Sequence, residues 1–194
     1  IGPETASREL LVAIHGLGGH AGSYYMGQVM AAAARAGIGG ARMNMRGADR
    51  GGDDIYHGGL AEDVATFLAS PAFDDVEHIY LVGYSLGGHL ALSYASRRVD
   101  PRVRAVTSIC APLDFEAGAR EIDKQTSTMY RGHLLRGLKQ TFRAAAARSP
   151  YHAPVERVES IRFVREWDEV VVAPRFGFES ANDYYNKVSV GPRL

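Results

Sequence analysis

The 194-residue chain contains one cysteine, Cys110, and one tryptophan, Trp167. A lone thiol excludes an intrachain disulfide, which suits a reducing compartment, and a cytoplasmic location is expected. Cys110 ends an apolar run and is predicted to be a small buried residue. Net charge is also lacking. The 22 basic and 22 acidic side chains cancel to zero, so nothing favours nucleic acid or an anionic membrane as a partner. No run approaches the ~18 apolar residues of a membrane span, and there is no basic, apolar, then small-residue leader. No stable membrane anchor is therefore expected from these residues. Repeats and low-complexity tracts are absent, and the alanine runs Ala31–Ala34 and Ala144–Ala147 are helix filler. The spacing of His15, His20 and His57 matches no zinc signature, so neither a metal nor a cofactor is predicted.

What is present is an ordinary globular composition, 46% apolar, in a length that suits one domain or one domain with a small lid. The apolar run Arg8 to His15 ends in Gly16-Leu17-Gly18-Gly19, a buried strand followed by a glycine loop. Helical spacing covers Tyr24 to Ala36, with Tyr25, Val29 and Ala33 on one face and Gly37 as the stop. A second short strand, Gly40 to Met45, leads into a Gly- and Asp-rich loop, Arg46 to Gly59. In that loop Asp53-Asp54 reads as a solvated turn. Leu60 to Ala69 is predicted helical, with Leu60, Val64, Phe67 and Leu68 on one face and Pro71 beyond its end. His78 to Val82 and Val103 to Cys110 are the third and fourth strands. Strands alternating with helices of about ten residues predict parallel β-α-β units, hence an α/β sheet covered on both faces.

Beyond Pro112 the pattern becomes mostly helical. Phe115 to Ala147 carries the stripe Leu134, Leu135, Leu138 and Phe142, and Val155 to Trp167 and Asn182 to Val188 continue it. Val170-Val171-Val172 is a candidate short strand stopped by Pro174.

The chemistry centres on Gly83-Tyr84-Ser85-Leu86-Gly87, which lies directly between the third strand and a predicted helix. With 22 glycines and 12 serines, chance gives roughly 0.15 such Gly-x-Ser-x-Gly patterns per chain, so the placement carries the signal. A serine on a sharp strand-to-helix turn is a nucleophile elbow; the competing role is a plain helix N-cap. An attacking serine needs donors for the developing oxyanion. The backbone N–H of Leu86, after the nucleophile, is one candidate. The Leu17 N–H, in the His15-Gly16-Leu17-Gly18-Gly19 loop, is the second.

Further residues in order are Asn44-Met45-Arg46-Gly47, Tyr56-His57-Gly58-Gly59, Ala111-Pro112-Leu113-Asp114, Ala173-Pro174, Gly177-Phe178 and Asp183-Tyr184-Tyr185. With the two glycine motifs, these make the chain resemble the YheT-like branch of the α/β-hydrolases, a group of predicted esterases. The resemblance departs at Ala48, where the family usually has Cys, and at His89, where it usually has Asn; neither touches the nucleophile. It implies an α/β-hydrolase fold: a mostly parallel sheet flanked by helices, with a helical lid. Residues 1–111 would be the partial core and 112–194 the lid or cap region. It also implies two further strands, bearing the catalytic Asp and His, after Leu194, so that the C-terminal strands are missing and the chain is truncated. Because the chain starts almost immediately on a strand, an upstream portion is also expected before it. Near the elbow, His15 and His57 are expected to shape loops by hydrogen bonding, and Trp167-Asp168-Glu169 to pack rather than react.

The implied activity is carboxylic ester hydrolysis through an acyl-enzyme, with a small or lipid-like ester as substrate and Ser85 as nucleophile. An inactive relative serving as an acyl-ligand or protein-binding module is the alternative. Within the chain itself, Asp114 and His152 follow Ser85 in the required order and form a candidate triad, although Asp114 also reads as the cap of the next helix. A sheet ending at Val103 to Cys110 would leave a bare edge open to self-association.

Overall fold

The computed structural model describes residues 7–97 and 99–194. The chain forms two compact units. The first comprises residues up to Met45 and Gly58–Ala111; the second comprises Arg46–His57 and Pro112–Leu194.

The first unit is a four-stranded, wholly parallel sheet in the order β2-β1-β3-β4. Strand β1 (Glu9–Ile14) lies between β2 (Gly39–Met43) and β3 (His78–Tyr84), and β4 (Val103–Ile109) closes one side. Parallel pairing requires a crossover between strands, which here is supplied by helices α1 (Tyr24–Arg35), α2 (Ala61–Leu68) and α3 (Leu86–Ala95). Val12, Ala13 and Ile14 in β1 are fully buried, as expected of a central strand covered on both faces. In α1, Met26 and Ala33 are the buried residues; Tyr25 and Val29 are half-buried and pack beside the cluster of Ala13, Met26 and Val82. The predicted stripe thus faces the core, with Ala33 buried, while Tyr25 stays half-buried because its hydroxyl is kept at the glycine loop and Met26 is buried beside it. Helix α2 buries Ala61, Val64 and Leu68. Arg102 secures its far end by donating to the Leu68 carbonyl at 2.9 Å and the Phe73 carbonyl at 2.6 Å, while Asp100 pairs with its guanidinium. A cation at the Leu68 carbonyl, the last of α2, also complements the helix dipole.

Strand β4 pairs on one side only among the described residues, and Ala105, Thr107 and Ile109 are exposed. Cys110, predicted to be buried, is exposed, with a φ of 53°. The burial expected from its apolar neighbours fails because it lies at the end of this outer strand, where no layer covers it.

The second unit is helical: α4 (Phe115–Asp123), α5 (Thr128–Ala146), α6 (Val155–Glu159), α7 (Val164–Trp167), α8 (Ala173–Phe176) and α9 (Ala181–Val188). The single long helix read over 115–147 is broken at a short 3-10 turn, Gln125–Ser127. The stripe Leu134, Leu135, Leu138 and Phe142 on α5 is buried as its spacing requires. The helix read over 155–167 is split into α6 and α7. Asp123 makes the second start by accepting the N–H groups of Val164 and Arg165 at 2.7 and 3.0 Å.

The predicted strand at Val170 to Val172 is a π-helical segment, Asp168–Val172, joining α7 to α8. Pro174 has no N–H for the carbonyl four residues earlier, so a regular α-helix cannot pass through it and the preceding turn widens. Burial of Val171 and Val172 against other helices overrides the strand preference of three consecutive valines.

Candidate active site

Ser85 stands at the junction of β3 and α3 with φ 51° and ψ −117°. This is left-handed backbone that a non-glycine residue adopts only where its surroundings force it, at a cost of order 1–3 kcal/mol. The forcing is visible on both sides. The Ser85 N–H donates to the Ile109 carbonyl at 2.8 Å, and its own carbonyl receives the His89 N–H at 3.0 Å, the first bond of α3. A Cβ at Gly83 would overlap the backbone of Gly87 and Gly88, and one at Gly87 would overlap the carbonyls of Ile14 and His15. Both glycines are therefore required by close packing of strand, turn and helix. The Ser85 side chain makes no capping hydrogen bond, so the N-cap role leaves its hydroxyl unexplained.

The glycine loop after β1 lies against this turn. A Cβ on Gly16 would sit 3.3 Å from the Ser85 Cβ and 3.3 Å from the Tyr84 carbonyl oxygen. His15 is fully buried and holds the loop with both ring nitrogens. Its Nε2 accepts the Met45 N–H at 3.1 Å, so the proton is on Nδ1, which donates to the Gly16 carbonyl at 2.8 Å. Burial is the main reason that its pKa falls to about 4, so His15 is a neutral loop support at pH 7. Leu86 is the first residue of α3, where a backbone N–H has no partner within the helix. The Leu17 N–H makes no hydrogen bond among the described residues. Within the first unit Leu86 follows Ser85 directly, and the loop bearing Leu17 meets Ser85 at Gly16.

The remaining candidates lie in the second unit. Asp114 is the N-cap of α4, and its carboxylate accepts the Ala117 N–H at 3.0 Å. His152 is exposed on the loop between α5 and α6. No hydrogen bond joins these two side chains among the described residues. His57 is buried against the rings of Phe176, Phe178 and Tyr184, with centroids at 4.2, 5.6 and 5.5 Å. Burial lowers its pKa to about 4, with Arg46 acting in the same direction.

Asp54 departs from the solvated turn read in the sequence. Its carboxylate accepts from Arg175 Nε at 3.0 Å, the Tyr151 hydroxyl at 3.3 Å and the Ile55 N–H at 2.9 Å. Those bonds hold its pKa below the usual range despite the opposing effect of burial. The sequence could not reveal this, since Arg175 is 121 positions away.

Asp168 was missed as a titrating group. It is buried in the π-helical segment and accepts the Tyr185 hydroxyl at 2.8 Å. Desolvation pushes its pKa up to about 7. An acidic residue within an aromatic-rich helical stretch was the available signal. Among the described residues no group of His, Cys, Asp and Glu is arranged to hold a metal ion, and no helix is long and apolar enough to cross a membrane.

A parallel sheet carrying a strained serine between strand and helix, beside a glycine loop with an unused N–H, defines the architecture. The family described as alpha/beta hydrolase fold matches residues 9–169, and the chain belongs to that family. It is 34% identical over 192 residues to the Escherichia coli (strain K12) protein "Putative esterase YheT", covering 95% of this chain and 56% of that protein. It is 25% identical over 150 residues to the "Monoacylglycerol lipase" of Saccharomyces cerevisiae, covering 72% of this chain and 33% of that one. The chain therefore spans little more than half of the first relative and a third of the second. A solved esterase of Pyrococcus furiosus shares the fold, with a TM-score of 0.51 at 12% identity over 75% of this chain and 71% of that one.

Proposed function

We propose that the protein is a carboxylic ester hydrolase in which Ser85 is the nucleophile. The observation that carries this reading is the strained φ of Ser85 combined with a hydroxyl that caps nothing. Strain of this kind persists where an activated side chain must be presented. Ser85 Oγ attacks the ester carbonyl carbon and yields its proton to a histidine. The negative oxygen of the tetrahedral intermediate is held by the Leu17 and Leu86 N–H groups. The alcohol departs with the proton, and water then releases the acid from the acyl-serine. Similarity to proteins named esterase and lipase supports a small or lipid-like ester as substrate.

The histidine is not His15, whose ring nitrogens are both engaged in supporting the loop. Two sources remain in this reading: a further segment bearing the acid and base, as the family resemblance implies, or Asp114 with His152. The first is preferred, because the Asp114 carboxylate already caps α4. A fluorophosphonate probe tests the reading: Ser85 should be labelled and Ser85→Ala should not. Absence of labelling in the protein extended by that further segment would leave the acyl-binding module as the better account. Loss of labelling in His152→Ala would select the internal pair.

A further inference from the structure

Gly16 is the weak point of the oxyanion loop. Close approach to Ser85 Cβ and to the Tyr84 carbonyl, each 3.3 Å from where its Cβ would be, favours glycine there. Glycine, however, leaves the backbone free to rotate on both sides. The Gly16 carbonyl and the Leu17 N–H share one trans peptide plane and point in opposite directions. Whatever fixes the two flanks of Gly16 therefore aims the Leu17 donor.

On the carbonyl side, the Gly16 oxygen accepts from His15 Nδ1 at 2.8 Å and from the Gly19 N–H at 3.1 Å. On the amide side, the Gly16 N–H donates to the hydroxyl oxygen of Tyr25 at 2.9 Å. Tyr25 comes from the first turn of α1, and its ring packs on Tyr84 with centroids 5.0 Å apart at 60°. Tyr84 immediately precedes the nucleophile. One side chain thus holds the loop with its hydroxyl and the elbow with its ring.

Building on the Ser85 reading above, we propose that Tyr25 is a positioning residue for the oxyanion hole, fixing Gly16 so that the Leu17 N–H faces the carbonyl attacked by Ser85. Removing an oxyanion donor outright costs about 10²–10³ in rate. Loosening one without removing it is expected to cost roughly 10-fold. Tyr25→Phe keeps the ring on Tyr84 and deletes only the acceptor for the Gly16 N–H.

The test is the kinetics of Ser85 labelling by a fluorophosphonate, with the maximal rate separated from the half-saturating concentration. Exchange of the Gly16 amide proton is followed by NMR alongside. Tyr25→Phe should lower the maximal rate about 10-fold, leave half-saturation unchanged and accelerate Gly16 exchange. Tyr24→Phe, at a neighbouring residue 83% exposed, should change neither. If Tyr25→Phe is labelled as fast as the unaltered protein, the positioning role is overturned while the Ser85 reading stands. If labelling slows but Gly16 exchange does not change, the role is also overturned, because the effect then lies elsewhere. If the protein that includes the further segment is not labelled at Ser85, the reading and the role fall together.

Discussion

Replacing Asp168 with asparagine should stabilise the protein in a strongly pH-dependent way. The Asp168 carboxyl is enclosed by the helical unit, and its pKa rises from 3.8 to about 7. Desolvation is the first cause. The nearby Asp123 carboxylate adds to it, and the Tyr185 hydroxyl and Arg165 oppose it. Between about pH 4 and 7 the folded protein holds a proton that the unfolded chain has released, so stability falls as pH rises through that window. That rise, at ~1.36 kcal/mol for each tenfold change in proton affinity, amounts to roughly 4 kcal/mol lost above pH 7 and almost nothing lost below pH 4.

His15 and His57 act oppositely. Their pKa values are lowered from 6.5 to about 4, so the unfolded chain binds the extra protons and stability rises with pH between about 4 and 6.5. The absolute pH profile therefore mixes opposing slopes. The difference between Asp168→Asn and the unaltered protein isolates the carboxyl, because both histidines remain in each. Asparagine can still accept the Tyr185 hydroxyl. Urea unfolding at several pH values should give a difference near zero at pH 4, growing to roughly 4 kcal/mol in favour of the variant at pH 7.5. A difference that is constant across this range would refute the reasoning, since it would mean that Asp168 does not change its proton occupancy on folding.

Two further outcomes concern the sheet. Gly87→Ala should destabilise by about 3 kcal/mol or more and abolish Ser85 labelling, because the added methyl overlaps the Ile14 and His15 carbonyls; denaturant midpoint and probe labelling check both. Taken as these 194 residues alone, the chain should self-associate in a concentration-dependent way through the one-sided β4, less so in Thr107→Lys at an exposed position of that strand; a concentration-independent monomer mass by light scattering would contradict this.

Much of the first unit was legible in the linear chain because its determinants are local. Apolar runs next to glycine loops mark β1 and β3, and Gly83 and Gly87 flank Ser85 at the spacing that a strand-to-helix turn demands. The α5 stripe was legible for the same reason, since a helix repeats its buried face every few residues. Legibility ended where a neighbour distant in sequence intervenes. Three valines read as strand became a π-helical turn, and Cys110 emerged at an uncovered strand end. Asp54 acquired Arg175 and Tyr151 as partners.

By itself the sequence determined the alternation of strands and helices, the position of Ser85 and the glycine loop after β1, since each depends on residues within a few positions of one another. Only tertiary structure decided what those residues are held by. The backbone strain at Ser85, the neutral tautomer of His15, the bond from the Gly16 N–H to Tyr25 and the raised pKa of Asp168 all arise from desolvation and from contacts between elements. No local pattern encodes those, because burial is a property of the assembled layers.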